Sequence, residues 1–362
     1  MFHNTPELML HYIQMLEHIG RIGYTSIRFI LKTLIFVGQF ILGKPRDLET
    51  VVSCGHNLIN AGTALQLPWF THTRHIPKSH AVEVYDLQFA SPVTLAAYES
   101  NLTALNWYMK LGLGGLCYKT MMAKPRTGNK RPRLQEVCVN GEPALINAMG
   151  LPGPGATAAI QAILASPLCS YNRPIGLSIG GETVADYHDT FQAYNQHIQH
   201  HDHPFYYEIN ISCPNTDEGK QLSETLDELE TLVATIRTFT QRVISIKLSP
   251  DQDNAMIVKT AQSCILYDKI ILNVGNTQYK QCTQVGLPVH AIKRGGGGLS
   301  GKPLKARTLE CVSLLAALRV PIIATGGIST VEDIKQAQQA GATLVGVATQ
   351  VALNPFFIST TM

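Results

Sequence analysis

The sequence predicts a (β/α)8 TIM barrel behind an N-terminal helical extension, and three observations carry that prediction. Eight short apolar runs alternate with helix-forming stretches between residues 81 and 362. The runs are rich in Ile, Val and Leu with little polar alternation, the pattern of parallel strands covered on their outer face by helices. The glycine-rich pieces come late, at 295–301 and 326–327, whereas a doubly wound open sheet, the competing architecture, places its phosphate-binding turn after the first strand. A chain of 362 residues suits one large α/β domain with an appendage. The division expected is an extension and linker over 1–80 and a barrel over 81–362.

Composition excludes several classes. Hydrophobic residues make up 45% and charged residues 15% of the chain, enough for a sizeable core and unlike a disordered or coiled-coil protein. The net charge of +3 is too small for a nucleic-acid footprint. All of it arises in residues 1–80, with 7 Lys+Arg against 4 Asp+Glu; the remainder holds 22 of each. Eight cysteines occur without a C-x-x-C pair, which argues against a zinc ribbon, an iron–sulfur site or a disulfide scaffold and for a reducing compartment. No metal site is expected: His197, His200, His201 and His203 follow a predicted helix without matched partners and are assigned to a solvated loop.

The first element is an apolar helix from Gly20 to Leu42. Its polar positions Arg21, Arg28, Lys32 and Gln39 fall within roughly 40° of one another at about 100° per residue, giving a narrow basic stripe on a greasy cylinder. The longest uncharged run, Thr33 to Gly43, is about half of the roughly 20 residues a span needs. The expectation is an in-plane membrane helix over 20–42 with its basic stripe at anionic headgroups, the competing arrangement being a helix packed on the domain. Residues 43–80 read as a short helical and loop connection without evident chemistry.

Strands are predicted at Val93–Ala97, Gly115–Lys119, Ile175–Ile179, Tyr206–Ser212, Val243–Leu248, Lys269–Val274, Pro321–Thr325 and Thr343–Ala348, with helices near 101–112, 154–166, 183–201, 221–241, 252–265, 303–318 and 330–340. A barrel gathers its active site at the C-terminal ends of its strands. There the sequence places Lys119-Thr120, Asn210 through Thr216, Lys247-Leu-Ser249-Pro250, Asn276-Thr277, Gly326-Gly327 and Ala348-Thr349. Two lysines, several amides and a thiol suit a planar, anionic, amide-rich ligand. Gly295–Gly301 ahead of a helix, Gly326-Gly327-Ile328 and Thr349 read as a phosphate cradle, since glycine-loop N–H groups bind phosphate and barrels set that site after strands seven and eight.

At Asn210-Ile-Ser-Cys-Pro-Asn-Thr216 the chain resembles the dihydroorotate dehydrogenase family, and the resemblance runs over roughly residues 85–355. Lys119 through Asn129 with Arg131-Pro-Arg133, Ile146 through Pro152, Ile246-Lys-Leu-Ser-Pro250, Gly298-Leu-Ser-Gly301 and Ala324-Thr-Gly-Gly-Ile328 agree in order and spacing. The resemblance implies an FMN-bound barrel that oxidises dihydroorotate to orotate in pyrimidine biosynthesis, a loop base taking the C5 proton while C6 delivers hydride to flavin N5. The base position is Cys213, as in class 1 members; a thiol among lysines and backbone dipoles can be drawn towards a neutral pKa. By the same resemblance Asn147, Asn210, Asn215, Asn276 and Thr277 contact orotate, and Lys119 sits by flavin and substrate. Lys247 faces the reduced flavin's N1/O2 edge, and Ala97, Thr120, Gly298, Gly301, Gly326, Gly327, Ala348 and Thr349 surround FMN.

Two departures stand out. Ala96-Ala97-Tyr98 replaces a glycine-ended segment beside the flavin, where the tyrosine is expected to crowd the ring, and Glu99-Ser100-Asn101 stands where class 2 members carry a substrate lysine. A class 1-like base is thus joined to a class 2-like appendage, and the electron acceptor implied is quinone or fumarate. The expected location is the cytoplasmic face of a membrane or the cytoplasm, with a homodimer left open. The competing functions are a flavin barrel acting on another dihydropyrimidine and a silent, membrane-tethered flavin-binding paralogue.

Overall fold

The computed structural model describes residues 6–211 and 225–361. Eight parallel strands close into a barrel: β1 (Val93–Leu95), β2 (Gly115–Met121), β3 (Ile175–Ile179), β4 (Phe205–Asn210), β5 (Ile244–Leu248), β6 (Ile270–Val274), β7 (Ile322–Thr325) and β8 (Leu344–Val347). Each strand pairs with the next and β8 pairs with β1. All eight predicted strands are present, and the helices between them, from Leu102–Leu111 to Val331–Gln339, occupy the predicted stretches. Strands β3 to β6 are buried along their whole length, which is why they read as near-continuous apolar runs with isolated polar residues rather than alternating ones.

The two ends of the barrel are closed differently. A hairpin, Val82–Val84 with Leu87–Phe89, stoppers the N-terminal end, where Val84, Leu87 and Phe89 pack on Tyr206, Val243, Ile271, Ile323 and Leu344. At the other end a four-stranded antiparallel sheet forms from segments that follow β2 and β6, in the order Gln278–Gln281, Gly296–Gly301, Glu142–Asn147 and Leu134–Val139. The glycine run expected to be a phosphate loop is therefore a strand. A side chain at Gly297 would strike the Asn147 backbone and one at Gly298 would strike Thr277, so glycine there permits close strand approach rather than flexibility. Its two ends turn: Gly295 (φ 75°) leads into the strand, and Gly301 (φ 103°) leads out towards helix Lys305–Leu315.

Helix α1 (Pro6–Ile41) is a single 36-residue rod, and α2 (Leu48–Ala64), capped by Asp47, returns beside it. The stretch His18–Ile41 is long and apolar enough to cross a bilayer by length and composition, and Gly20 is its one buried residue. Gly20 meets Phe356 and Trp69, and Tyr24 lies against Trp107. Two of the three cations in the basic stripe do not face outward as expected, whereas Arg21 is exposed. Arg28 and Lys32 both bind Glu136 of the mouth sheet, at 2.8 and 3.1 Å, and Gln39 bonds the Asp47 backbone. An internal carboxylate takes the place assigned to lipid headgroups. The opposite, apolar face is open: Phe29 is 66% exposed, Leu34 65% and Phe40 84%.

Candidate functional site

Register brings the polar strand ends together. Asn210 on β4 lies level with Lys247 on β5, and Lys247 level with Asn273 on β6. One step deeper, Ser178 on β3 lies level with Glu208 on β4. These side chains form a continuous network. Asn276 Nδ2 donates to Asn210 Oδ1 at 3.1 Å, and Asn210 Nδ2 donates to Thr120 Oγ1 at 3.1 Å. Thr120 and Ser178 hydroxyls meet at 2.8 Å, and Ser178 donates to Glu208 Oε1 at 3.1 Å. Asn273 Nδ2 donates to Glu208 Oε2 at 2.6 Å, and Lys247 Nζ stands 4.0 Å from Glu208 Oε1. Because each hydroxyl has one proton, the Ser178 bond to Glu208 settles the direction of the whole chain: it donates inward from Asn276 to the carboxylate.

Tyr187, from the helix Val184–Ile198, donates to the Asn210 carbonyl at 2.7 Å and fixes the end of β4. Asn147 bonds across the mouth sheet to Gly298, and Asn276 Oδ1 accepts from the Thr277 amide at 2.8 Å. Thr277 itself packs against Gly298. Lys119 lies in the irregular part of β2, between Tyr118 and Met121. Burial holds its ammonium below the usual lysine range, with Glu99 opposing that shift, Arg133 adding to it and Glu49 opposing it.

Beyond β7 and β8 a cavity of about 170 Å³ is lined by Gly301, Thr325, Gly326, Gly327, Ala348 and Thr349, with Lys302 among its other walls. Gly326 and Gly327 adopt φ of 122° and 77°, which only glycine takes readily. Side chains there would meet Thr308 and the Lys305 backbone. The loop is stapled by Asp333, which accepts from the Ser329 and Thr330 amides, each at 2.9 Å, and pairs with Lys305. Burial opposes the charge on Asp333, but Lys305, Ser329 and Thr330 outweigh it and draw the carboxyl down to about 2. Thr325 Oγ1, buried at this cavity, has no partner of its own, while Thr349 donates to Ser300 at 2.9 Å. Five residues expected around a flavin phosphate thus line one cavity; Gly298 lies apart, in the mouth sheet.

Cys213 and Asn215 lie outside the described residues. Of the remaining expected site residues, the network gathers Thr120, Asn210, Lys247 and Asn276, while Asn147 and Thr277 stand at the adjoining mouth sheet. Ala97 follows the end of β1 and is half-buried.

The chain matches the family model described as dihydroorotate dehydrogenase over residues 79–361. The chain belongs to the dihydroorotate dehydrogenase family. Among its relatives is a dihydroorotate dehydrogenase B (NAD(+)) catalytic subunit of Halalkalibacterium halodurans, 30% identical over 77% of this chain and 90% of its own. A dihydroorotate dehydrogenase (quinone) of Chloroflexus aurantiacus is 31% identical over 74% of this chain and 76% of its own. A second quinone-type relative, from Nautilia profundicola, is 28% identical over 86% of this chain and 87% of its own, a match long enough to include part of the segment before residue 79. A solved structure of the Eimeria tenella enzyme in complex with ferulenol shares the fold (TM-score 0.69, 23% identity, 85% of this chain and 89% of that chain).

The structure adds residues that the sequence reading passed over. Glu208, Ser178 and Asn273 are polar residues in otherwise apolar strands, and that break was their signal. The linker also carries chemistry. His56 on α2 bonds Glu99 at 3.0 Å, Arg131 binds Asp47 at 2.6 Å and Arg133 binds Glu49 at 2.7 Å. Burial works against the charge on Glu99, but His56 and the Asn101 and Ser100 amides hold its carboxyl below the ordinary value. Tyr98 lies among Tyr108, Glu99 and Tyr24, on the helical side of the β1 end, where burial pushes its phenol well up. His203 is buried rather than solvated, meeting the Phe205 ring edge-on, and burial lowers its ring to about 4, with His201 adding to that effect.

Proposed function

We propose that the barrel mouth binds FMN and dihydroorotate side by side, yields orotate, and passes electrons to quinone at a membrane surface. Oxidation of dihydroorotate in pyrimidine biosynthesis is the reaction of the family to which the chain belongs. The observation that carries the assignment of parts is the single network joining Lys247 to Asn210 and Asn276, beside a glycine-lined cavity after β7 and β8.

The residues present fit a flavin phosphate. Gly326 and Gly327 carry the loop along the cavity wall in turns that only glycine takes readily, and Thr325 Oγ1, buried at that wall, has no partner. Gly301, Ala348 and Thr349 complete the surroundings. When bound, FMN supplies the hydride acceptor. Lys247 holds positive charge at the mouth, where negative charge develops on reduction. Asn147, Asn210, Asn215, Asn276 and Thr277 pair with the ring amides of the substrate and orient it. Cys213 accepts the C5 proton, and Lys119, whose proton is loosened by burial, balances charge beside it.

Quinone is favoured over fumarate by α1. Arg28 and Lys32 of its basic stripe are bound to Glu136, so the helix stays on the barrel, and the surface left to meet lipid is mainly its apolar face. That geometry suits an in-plane anchor and a peripheral location. Cys213→Ser tests the chemistry. The variant keeps bound flavin, and anaerobic stopped-flow mixing with dihydroorotate shows reduction slowed by about 10²-fold or more at neutral pH. A wild-type rate defeats the base assignment.

A further inference from the structure

Glu208 is the deepest charged group of the mouth and the point on which the network converges. It is 1% exposed, on a strand whose neighbours Tyr206, Tyr207 and Ile209 are buried hydrophobics. A charge withdrawn this far from water persists only when paired and hydrogen-bonded. Each Glu208 oxygen accepts a hydrogen bond, Oε1 from Ser178 and Oε2 from Asn273, and Lys247 supplies the cation. Two of those partners, Lys247 and Ser178, open separate arms. One arm is Lys247, proposed to face the flavin. The other runs through Ser178 and Thr120 to Asn210 and Asn276, proposed to face the substrate. The donor direction of the second arm ends on Glu208, so the carboxylate dictates which edge each amide turns to the mouth.

We propose that Glu208 is a positioning residue that anchors both subsites: it holds Lys247 as part of a buried ion pair and, through Ser178 and Thr120, fixes the orientation of the Asn210 and Asn276 amides. The proposal rests on the functional reading above. Its physical content is twofold. The lysine's field at a bound flavin is attenuated by a carboxylate 4.0 Å away, and the substrate amides lose their orientation when that carboxylate stops being a pure acceptor.

The test uses the FMN-loaded full-length protein and two readouts other than turnover: the flavin midpoint potential and the orotate Kd from perturbation of the flavin spectrum. Glu208→Gln keeps the shape, removes the charge and introduces a donor. The potential moves to more positive values, equivalent to about tenfold tighter holding of reduced over oxidised flavin, or about 30 mV for a two-electron couple. Orotate binding weakens about tenfold. Ser178→Ala cuts only the amide arm, so orotate binding weakens while the potential stays at the wild-type value. Glu208→Asp, which restores the charge, returns the potential towards wild type, and a merely space-filling role would not produce that return.

Folded Glu208→Gln protein with wild-type potential and orotate affinity overturns the proposal. If Glu208→Gln gives no soluble flavoprotein, Ser178→Ala decides: wild-type orotate affinity in that variant overturns the anchoring role, and selective loss supports it. Wild-type protein that takes up no flavin defeats the functional reading and this assignment together, an outcome visible before any variant is made.

Discussion

The barrel mouth and helix α1 break the ordinary rule of burial in opposite senses. At the mouth, Glu208, Lys247, Asn210 and Asn273 are withdrawn from water. On α1, Phe29, Leu34, Phe40 and Ile41 stand in it. Most polar groups in the mouth satisfy one another through the network, because a buried polar group left unpaired costs about 1–3 kcal/mol, and of these four residues Asn273 keeps its amide oxygen without a partner. The apolar face of α1 has nothing in the described chain to cover it. The difference teaches that the two regions await different things. A preorganised polar pocket is completed by a small ligand, whereas a continuous apolar face is completed by another surface.

The comparison breaks most sharply at Lys247. Lys247→Ala leaves the Glu208 charge buried without its cation, and removing one partner of a buried pair costs about 3–5 kcal/mol. Urea denaturation should show that loss; an unchanged midpoint would mean that the pair does not hold the mouth together.

On the helical side, Phe29, Leu34 and Phe40 replaced together by Glu should abolish binding to phosphatidylcholine vesicles. Each of these side chains is worth about 1.5–3 kcal/mol when fully buried, so the partition coefficient falls by about 10³-fold or more. Retained binding would show that α1 is not the anchor. Neutral vesicles suffice in this account because Arg28 and Lys32 are engaged by Glu136 rather than by headgroups.

The smallest effect is expected at that seam. Burial works against the charge on Glu136, but Arg28 and then Lys32 outweigh it and hold the carboxyl below its ordinary value. A carboxyl depressed in the folded state adds stability above its unfolded pKa and loses it as pH falls through the lower folded value. Glu136→Gln should therefore cost about 1 kcal/mol near neutrality and nothing in strong acid, while vesicle binding is unchanged. A larger loss at low pH than at pH 7 would contradict the sign.

Much of the fold was legible because parallel barrel strands and their helices write simple patterns, and the mouth residues sit where strand ends must place them. The mouth sheet was not legible. Its strand Gly296–Gly301 has almost no intrinsic strand preference and exists because Glu142–Asn147 and Gln278–Gln281 pair with it. The orientation of α1 was equally hidden, since a basic stripe suits a lipid headgroup or a carboxylate, and Glu136 lies over a hundred residues further along the chain. Glu208 left a sign, a charge inside an apolar strand, but its meaning depended on which neighbours the barrel register would bring to it.

The central claim is that this mouth holds FMN and draws electrons from dihydroorotate. Anaerobic visible spectroscopy of the purified FMN-loaded protein tests it directly. Addition of dihydroorotate should bleach the yellow flavin absorbance, with orotate released in equal amount. A yellow protein whose spectrum stays oxidised in the presence of excess dihydroorotate would contradict the account.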